Sequence, residues 1–325
     1  MSSPDEWRIP LESRPDPDAV AYDLDAALAA VVSLRAKVPT DAFTAEALGT
    51  ERVGQGVLIR APDLVLTIGY LITEAEEVWL TTGAGRAVPG HPLAYDFVTG
   101  FGLVQALAPL GIPALGLGDS RRLGLGKSVV VAAAGGRPSS LAAQVVARQE
   151  FAGYWEYLIE DALFTAPAHP RWSGAGLIGP RGQLHGIGSL QLQHAGPDGC
   201  IMPLNMFVPI DLLKPILDDL LTLGRADRPS RPWLGLYSGE AGGRVMVIGL
   251  AGDGPAKRAG LSPGDAVHAV AGRRIASLET FYRAVWSLGQ AGVDVPLTLE
   301  REGDVFDVRI TSAERGQFLK RSRLH

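Results

Sequence analysis

The chain has 325 residues, 46% of them hydrophobic and 20% charged, which allows a sizeable core and more than one domain. A formal net charge of −5 gives no electrostatic ground for nucleic-acid binding, and a single cysteine, Cys200, excludes an internal disulfide framework and a Cys-rich zinc site. Glycine is frequent, at 40 residues, and with 23 prolines it favours short strands and many turns over a helical protein.

Met1–Pro10 lacks a basic segment followed by an apolar core, and no apolar run reaches membrane-spanning length. As written, the sequence reads as soluble and cytoplasmic, with no membrane span. Residues 1–22 are Pro- and Asp-rich and read as an irregular arm. Asp23–Ala36 starts as a helix capped by Asp23 and passes into a strand at Val31–Leu34. Strands follow at Gly54–Arg60, Leu64–Ile68, Val78–Thr82 and Leu103–Leu107, with a turn at Leu115–Asp119. Glu74, Glu76 and Glu77 read as a solvated turn. Further strands are expected at Lys127–Ala133, Glu156–Ile159, Gly176–Ile178 and His185–Gln191. Asp211–Leu223 has helical spacing, Asp211 as its N-cap and Gly224 as its stop. The polar, proline-containing run Arg225–Pro232 reads as a linker. Beyond it, Trp233–Ser312 mixes short strands with one helix near Leu278–Leu288 that begins at Ser277, and 313–325 reads as a loose basic tail.

One stretch, F-T-A-P-A-H-P-R-W-S-G-A-G-L over Phe164–Leu177, brings a serine hydroxyl into a small-residue loop where backbone N–H groups can approach a carbonyl. Taken alone, Ser173 and its glycines read as a tight turn. Several other stretches, in order, resemble the HtrA/Deg family of trypsin-like serine proteases with a C-terminal PDZ domain. They are Gly54-Gln55-Gly56-Val57, Leu66-Thr67 with Tyr70, Leu117-Gly118-Asp119-Ser120 and His169–Leu177, followed by Pro255-Ala256, Ala259-Gly260-Leu261 and Pro263-Gly264-Asp265. The resemblance implies a mainly β protein: a chymotrypsin/trypsin-like double β-barrel over 23–224, a linker at 225–232 and an α+β PDZ domain over 233–312.

Carried across residue by residue, the resemblance puts Ser173 at the nucleophile position, Tyr70 at the histidine position and Gly100 at the aspartate position. A serine hydroxyl needs a base and an orienting carboxylate, and neither tyrosine nor glycine supplies one at neutral pH. Arg171 stands where the family has an oxyanion-loop glycine. A non-glycine residue resists positive φ, so a peptide turned away from the oxyanion site is expected. His91, His169, His185 and His194 are read as surface or structural groups, with His169 near the mouth of the site. Asp96 reads as a turn residue and Asp119 as a loop cap. No histidine pair or acidic cluster has metal-ligand spacing and no glycine-rich segment ends in Lys-Ser/Thr, so no metal or cofactor is expected.

In the second domain, the resemblance makes Trp233, Leu234, Gly235 and Leu236 a carboxylate-binding loop for a peptide C-terminus, with Leu278 and Tyr282 on the groove edge of the helix. Phe281, Val285 and Leu288 share a face of that helix. The expected function is a non-cleaving protein that binds peptide C-termini or unfolded protein segments. Two other readings stay open: an active serine endopeptidase with an unconventional or trans-supplied base, and a structural subunit assembling with an active homologue, as a trimer or other oligomer.

Overall fold

The computed structural model describes residues 8–195 and 199–320, so residues 1–7 of the expected arm and 321–325 of the expected tail lie outside it. The chain divides into two compact units, one of residues 8–149 and 161–227, the other of residues 150–160 and 228–320.

The first unit begins with 3-10 turns at Leu11–Ser13 and Pro17–Ala19, then α1 (Leu24–Ala29). The Asp23 side chain accepts the Ala26 N–H at 3.0 Å, and Leu24, Ala27 and Leu28 turn inward together, as helical spacing requires. Six strands close a barrel in the order β1-β2-β3-β6-β5-β4. They are β1 (Val31–Lys37), β2 (Glu51–Arg60), β3 (Leu64–Ile68), β4 (Glu77–Thr81), β5 (Ala87–Tyr95) and β6 (Phe101–Ala106), with a short α2 (Ala45–Leu48) between β1 and β2. A second closed barrel runs β10-β11-β12-β9-β8-β7. Its strands are β7 (Ser128–Ala132), β8 (Leu141–Gly153), β9 (Tyr157–Ala166), β10 (Gly176–Ile178), β11 (Leu184–Ala195) and β12 (Ile201–Pro209). Closure leaves no unpaired edge in either barrel. Fully buried Leu34, Leu58, Val65 and Val104 share one face of the first barrel's sheet and Leu66 and Phe101 the opposite face, while Val131, Leu163, Leu177 and Phe207 share one core in the second.

The second unit is an antiparallel sheet in the order β13-β14-β15-β17-β18, with β16 on β15. The strands are β13 (Leu236–Ala241), β14 (Arg244–Leu250), β15 (Ala266–Val270), β16 (Arg273–Arg274), β17 (Asp294–Arg301) and β18 (Asp304–Thr311). A short helix at Pro255–Arg258 and a longer one at Leu278–Trp286 complete the unit. The longer helix starts in a reciprocal box between Ser277 and Thr280, and buries Phe281, Tyr282 and Val285 against Val245, Val267, Leu297 and Leu299. The tip of the β8–β9 hairpin belongs to this unit, with Leu158 in the same core.

The structure departs from the sequence expectations at several points. Ile9 is only 2% exposed and its N–H bonds Pro138 O, so residues 8–22 pack on the barrel although their backbone is irregular. The tail is not loose over 313–320: Ala313 bridges Trp233, and a 3-10 turn at Arg315–Phe318 sets the Phe318 ring 4.9 Å from that of Trp233. Asp211 caps no α-helix. It sits in the 3-10 turn Ile210–Leu212 and accepts from Ser120 Oγ at 2.6 Å; the helix begins only at Leu217, after Pro215 has removed a donor and closed off a continuous run. Gly224, at φ 69°, does stop it. Glu74 is not solvated: it is buried and accepts from Phe43 N, Thr44 N and Thr44 Oγ1, while Glu76 and Glu77 are exposed. Glu156 is not in a strand but in the turn between β8 and β9.

Candidate functional site

Ser173 lies in the loop between β9 and β10, held against both barrels of the first unit. Its carbonyl accepts the Gln55 N–H from β2 at 2.8 Å, and Gly174 N–H reaches Gly188 O of β11 at 2.9 Å. Gly174 adopts φ 75°, and a Cβ there would lie 2.0 Å from Gln55 O, so only glycine fits beside the serine.

Tyr70 comes from the 3-10 turn Gly69–Leu71 that follows β3. Arg52, almost fully buried, holds that turn by donating to Tyr70 O at 2.7 Å and Thr73 O at 2.8 Å. The Tyr70 hydroxyl lies 2.8 Å from Ser173 Oγ and 2.8 Å from the Ser189 carbonyl. A carbonyl can only accept, so the phenol proton points at Ser189 O, and the Ser173 hydroxyl is the donor in its bond to Tyr70. The chain of bonds runs outward from the serine and ends on a main-chain carbonyl. Burial of the Tyr70 hydroxyl pushes its pKa up to about 12, against the opposing pull of hydrogen bonds from Ser173 and Trp172. At pH 7 that leaves about one molecule in 10⁵ as the basic phenolate.

Gly100 adopts φ 82°, donates to Asp96 O and accepts from Gly69 N–H, both at 2.7 Å, so it stands beside the Tyr70 turn without a side chain. The Asp96 carboxylate accepts Thr99 N–H and Thr99 Oγ1 within its own turn. Asp119 caps the 3-10 turn Ser120–Arg122 by accepting from Arg121 N–H.

Arg171 is not among the described non-glycine residues at positive φ. Its N–H donates to Nδ1 of His169 at 2.9 Å. That leaves Nε2 as the protonated nitrogen of His169, and it donates to Ser139 O at 2.8 Å. His169 is fully buried, and burial holds its pKa below the usual histidine value. It is therefore a neutral strut that holds the Arg171 amide on one side and Ser139 O on the other. His185 is also buried, with Nδ1 against Gln183 O and a pKa lowered by burial. Among the described residues no group of three or more His, Cys, Asp or Glu is placed to hold a metal ion, and no helix is long and apolar enough to cross a membrane.

In the second unit the amides of Leu234, Gly235 and Leu236 converge, as sequence reasoning expects of a carboxylate-binding loop. What they converge on was not legible: the carboxyl of Glu156, whose Oε1 accepts from Gly235 at 2.7 Å and Leu236 at 3.0 Å, with Leu234 at 3.0 Å from Oε2. Gly235 has φ 76°, which lets three successive N–H groups face one point. Trp233 N–H goes instead to Ala313 O. Tyr282 is 1% exposed and its hydroxyl donates to Gly153 O at 2.8 Å, and Leu278 is 8% exposed, so neither lies on an open groove edge.

Family models agree with this division: a trypsin-like peptidase domain matches residues 54–187 and a PDZ domain matches 229–311. The chain is 25% identical over 272 residues to a "Probable periplasmic serine endoprotease DegP-like" of Halomonas elongata, covering 80% of this chain and 56% of that protein. It is 22% identical over 289 residues to a "Serine protease Do-like HtrA" of Lactobacillus helveticus, covering 81% and 69%. It thus spans little over half the length of the first of these relatives. Among solved structures, the HtrA-type protease AlgW with decapeptide superposes with a TM-score of 0.53 at 19% identity, over 90% of this chain and 97% of that one. The same protein with tripeptide gives a TM-score of 0.52 at 19% identity, over 89% and 95%. With two barrels, the serine loop between them and a carboxylate-binding loop in the following domain, the chain belongs to the HtrA family, a trypsin-like peptidase domain joined to a PDZ domain.

Proposed function

We propose that this protein is a pseudoprotease: a member of the family that binds peptide C-termini or unfolded segments of a partner and does not cleave them. The observation that carries the reading is the direction of the hydrogen bonds at Ser173. Its hydroxyl donates to a neutral phenol whose own proton is committed to Ser189 O, so no group stands ready to take the serine proton. The engagement of Arg171 N–H by His169 supports it further, since an oxyanion needs donors aimed at the reacting carbonyl. Peptide binding is supported by the three converging amides of the PDZ loop, which suit a carboxylate without any charged side chain.

The relatives' names, serine endoproteases, favour a second reading in which the serine is activated by a group from outside this chain. A serine-reactive fluorophosphonate separates the two. The pseudoprotease reading expects no adduct on Ser173 by mass spectrometry at pH 7.5, alone or with unfolded protein present. Stoichiometric labelling that Ser173→Ala abolishes would overturn it.

A further inference from the structure

The PDZ carboxylate loop already holds a carboxyl, and it comes from the chain itself. β13 is the edge strand of its sheet, with β14 on one side only. The turn 153–156 occupies the other side. Leu236 N–H reaches Glu156, and two residues further along β13 the Ser238 N–H donates to Tyr154 O at 2.8 Å. That two-residue spacing is how an added strand meets a sheet edge. On the helix side, Tyr282 donates to Gly153 O at 2.8 Å and Arg283 pairs with Glu150 at 3.0 Å. Arg315 donates to Trp155 O at 3.4 Å. The chain does not end at Glu156; it turns away at φ 59°, a backbone conformation few non-glycine residues adopt, and the side chain stands where a terminal carboxylate would stand.

We infer that the turn 153–156 is an internal, displaceable ligand of the PDZ groove, with Glu156 in the place of a peptide's C-terminal carboxylate. The inference rests on the peptide-binding reading above. A peptide would have to expel Glu156 from the three amides and Tyr154 from the edge of β13, while Leu158 stays in the core and anchors the hairpin. The contacts that must break include hydrogen bonds and an ion pair at the surface, and Tyr154 is 52% exposed and meets Tyr237 edge-on. Because the competitor is tethered, its effective concentration is on the order of millimolar, and external peptides meet the groove with reduced apparent affinity.

The test titrates the full chain with a library of free-acid peptides ending in apolar residues and with its C-terminally amidated twin. Glu156→Ala is expected to bind the free-acid peptides at least about tenfold more tightly than the wild-type chain, with amidation removing the gain. Glu150→Ala, which loosens the turn without touching the loop, is expected to move the same way by a smaller factor and serves if Glu156→Ala does not fold. In the wild-type chain, saturating peptide should speed amide hydrogen exchange at 153–156. Equal free-acid affinity in wild type and Glu156→Ala would overturn the inference while leaving peptide binding intact. If no variant binds any peptide, the peptide-binding reading falls instead. Occupancy is then decided by exchange at Leu234, Gly235 and Leu236: faster in Glu156→Ala supports it, and unchanged rates overturn it.

Discussion

If the chain is the pseudoprotease proposed here, histidine at position 70 and aspartate at position 100 should not confer proteolysis. The variant Tyr70→His/Gly100→Asp supplies a base and an orienter, whose joint absence accounts for about 10⁶ in turnover, or about 8 kcal/mol of barrier. It leaves the Arg171 N–H bonded to His169 Nδ1 at 2.9 Å, turned from any oxyanion. One missing oxyanion donor costs about 10²- to 10³-fold in turnover. The new aspartate must also adopt the φ of 82° that Gly100 holds, at a cost of roughly 1–2 kcal/mol in fold stability. The double variant is therefore expected to cleave a fluorescein-labelled unfolded protein at a rate near background. Adding Arg171→Gly lets the peptide leave His169, and the triple variant should gain about 10²- to 10³-fold over the double. Initial rates for wild type, double and triple variants, each against its Ser173→Ala partner, make the comparison. Full activity from the double repair alone would refute the reasoning, because it would mean the oxyanion loop is competent with Arg171 in place.

His169→Ala removes the acceptor of Arg171 N–H and the donor to Ser139 O from a fully buried site, and is expected to lower stability by about 1–3 kcal/mol in denaturant unfolding; an unchanged midpoint would contradict the strut assignment. Glu156 gives a pH dependence with a definite sign. Burial of its carboxyl raises its pKa from 4.5 to about 7, while the Leu234, Leu236 and Gly235 amides and Arg315 pull the other way; Tyr282, itself near Glu279 and Glu240, lies beside it. A raised folded-state value means the docked turn gains stability below the free value and loses it as pH rises through about 7. Peptide affinity of the wild-type chain should thus rise about tenfold from pH 6 to pH 8 relative to Glu156→Gln, and parallel pH profiles would contradict it. Ser173→Ala should leave peptide affinity unchanged, because the serine lies in the first unit; a loss of binding would place it in the ligand site.

Much of the fold was legible because its strands are short, apolar and bounded by turn residues. Leu64–Ile68 and Gly176–Ile178 are strands of those same bounds, and Asp23 and Ser277 cap the helices they precede. The strands that escaped notice are those whose pattern is blurred. β5 carries Pro89 and Pro92 and is mostly half-buried, β12 carries Pro203 and Pro209, and β8 has alanines on both faces, Ala142 exposed and Ala143 buried, which blurs its alternation. At the site, the substitutions at 70, 100 and 171 are visible in the sequence through the family pattern, but the partners that fix their behaviour are not. Arg52 holds the Tyr70 turn from 18 residues away, Ser139 fixes the tautomer of His169 from 30 residues away, and Glu156 reaches Leu234 across 78. Hydrogen bonds of that separation leave no local periodicity. The positive φ of Glu156 is likewise invisible, because glutamate gives no turn signal.

The proposed pseudoprotease lacks a base for Ser173. The most direct measurement is the turnover of an unfolded protein substrate by the wild-type chain and by Ser173→Ala, over hours at pH 7–9 and at matched concentration. Identical rates are expected at every pH, because Tyr70, pushed up to a pKa of about 12, does not ionise in that range. Cleavage by the wild-type chain that Ser173→Ala abolishes would contradict it.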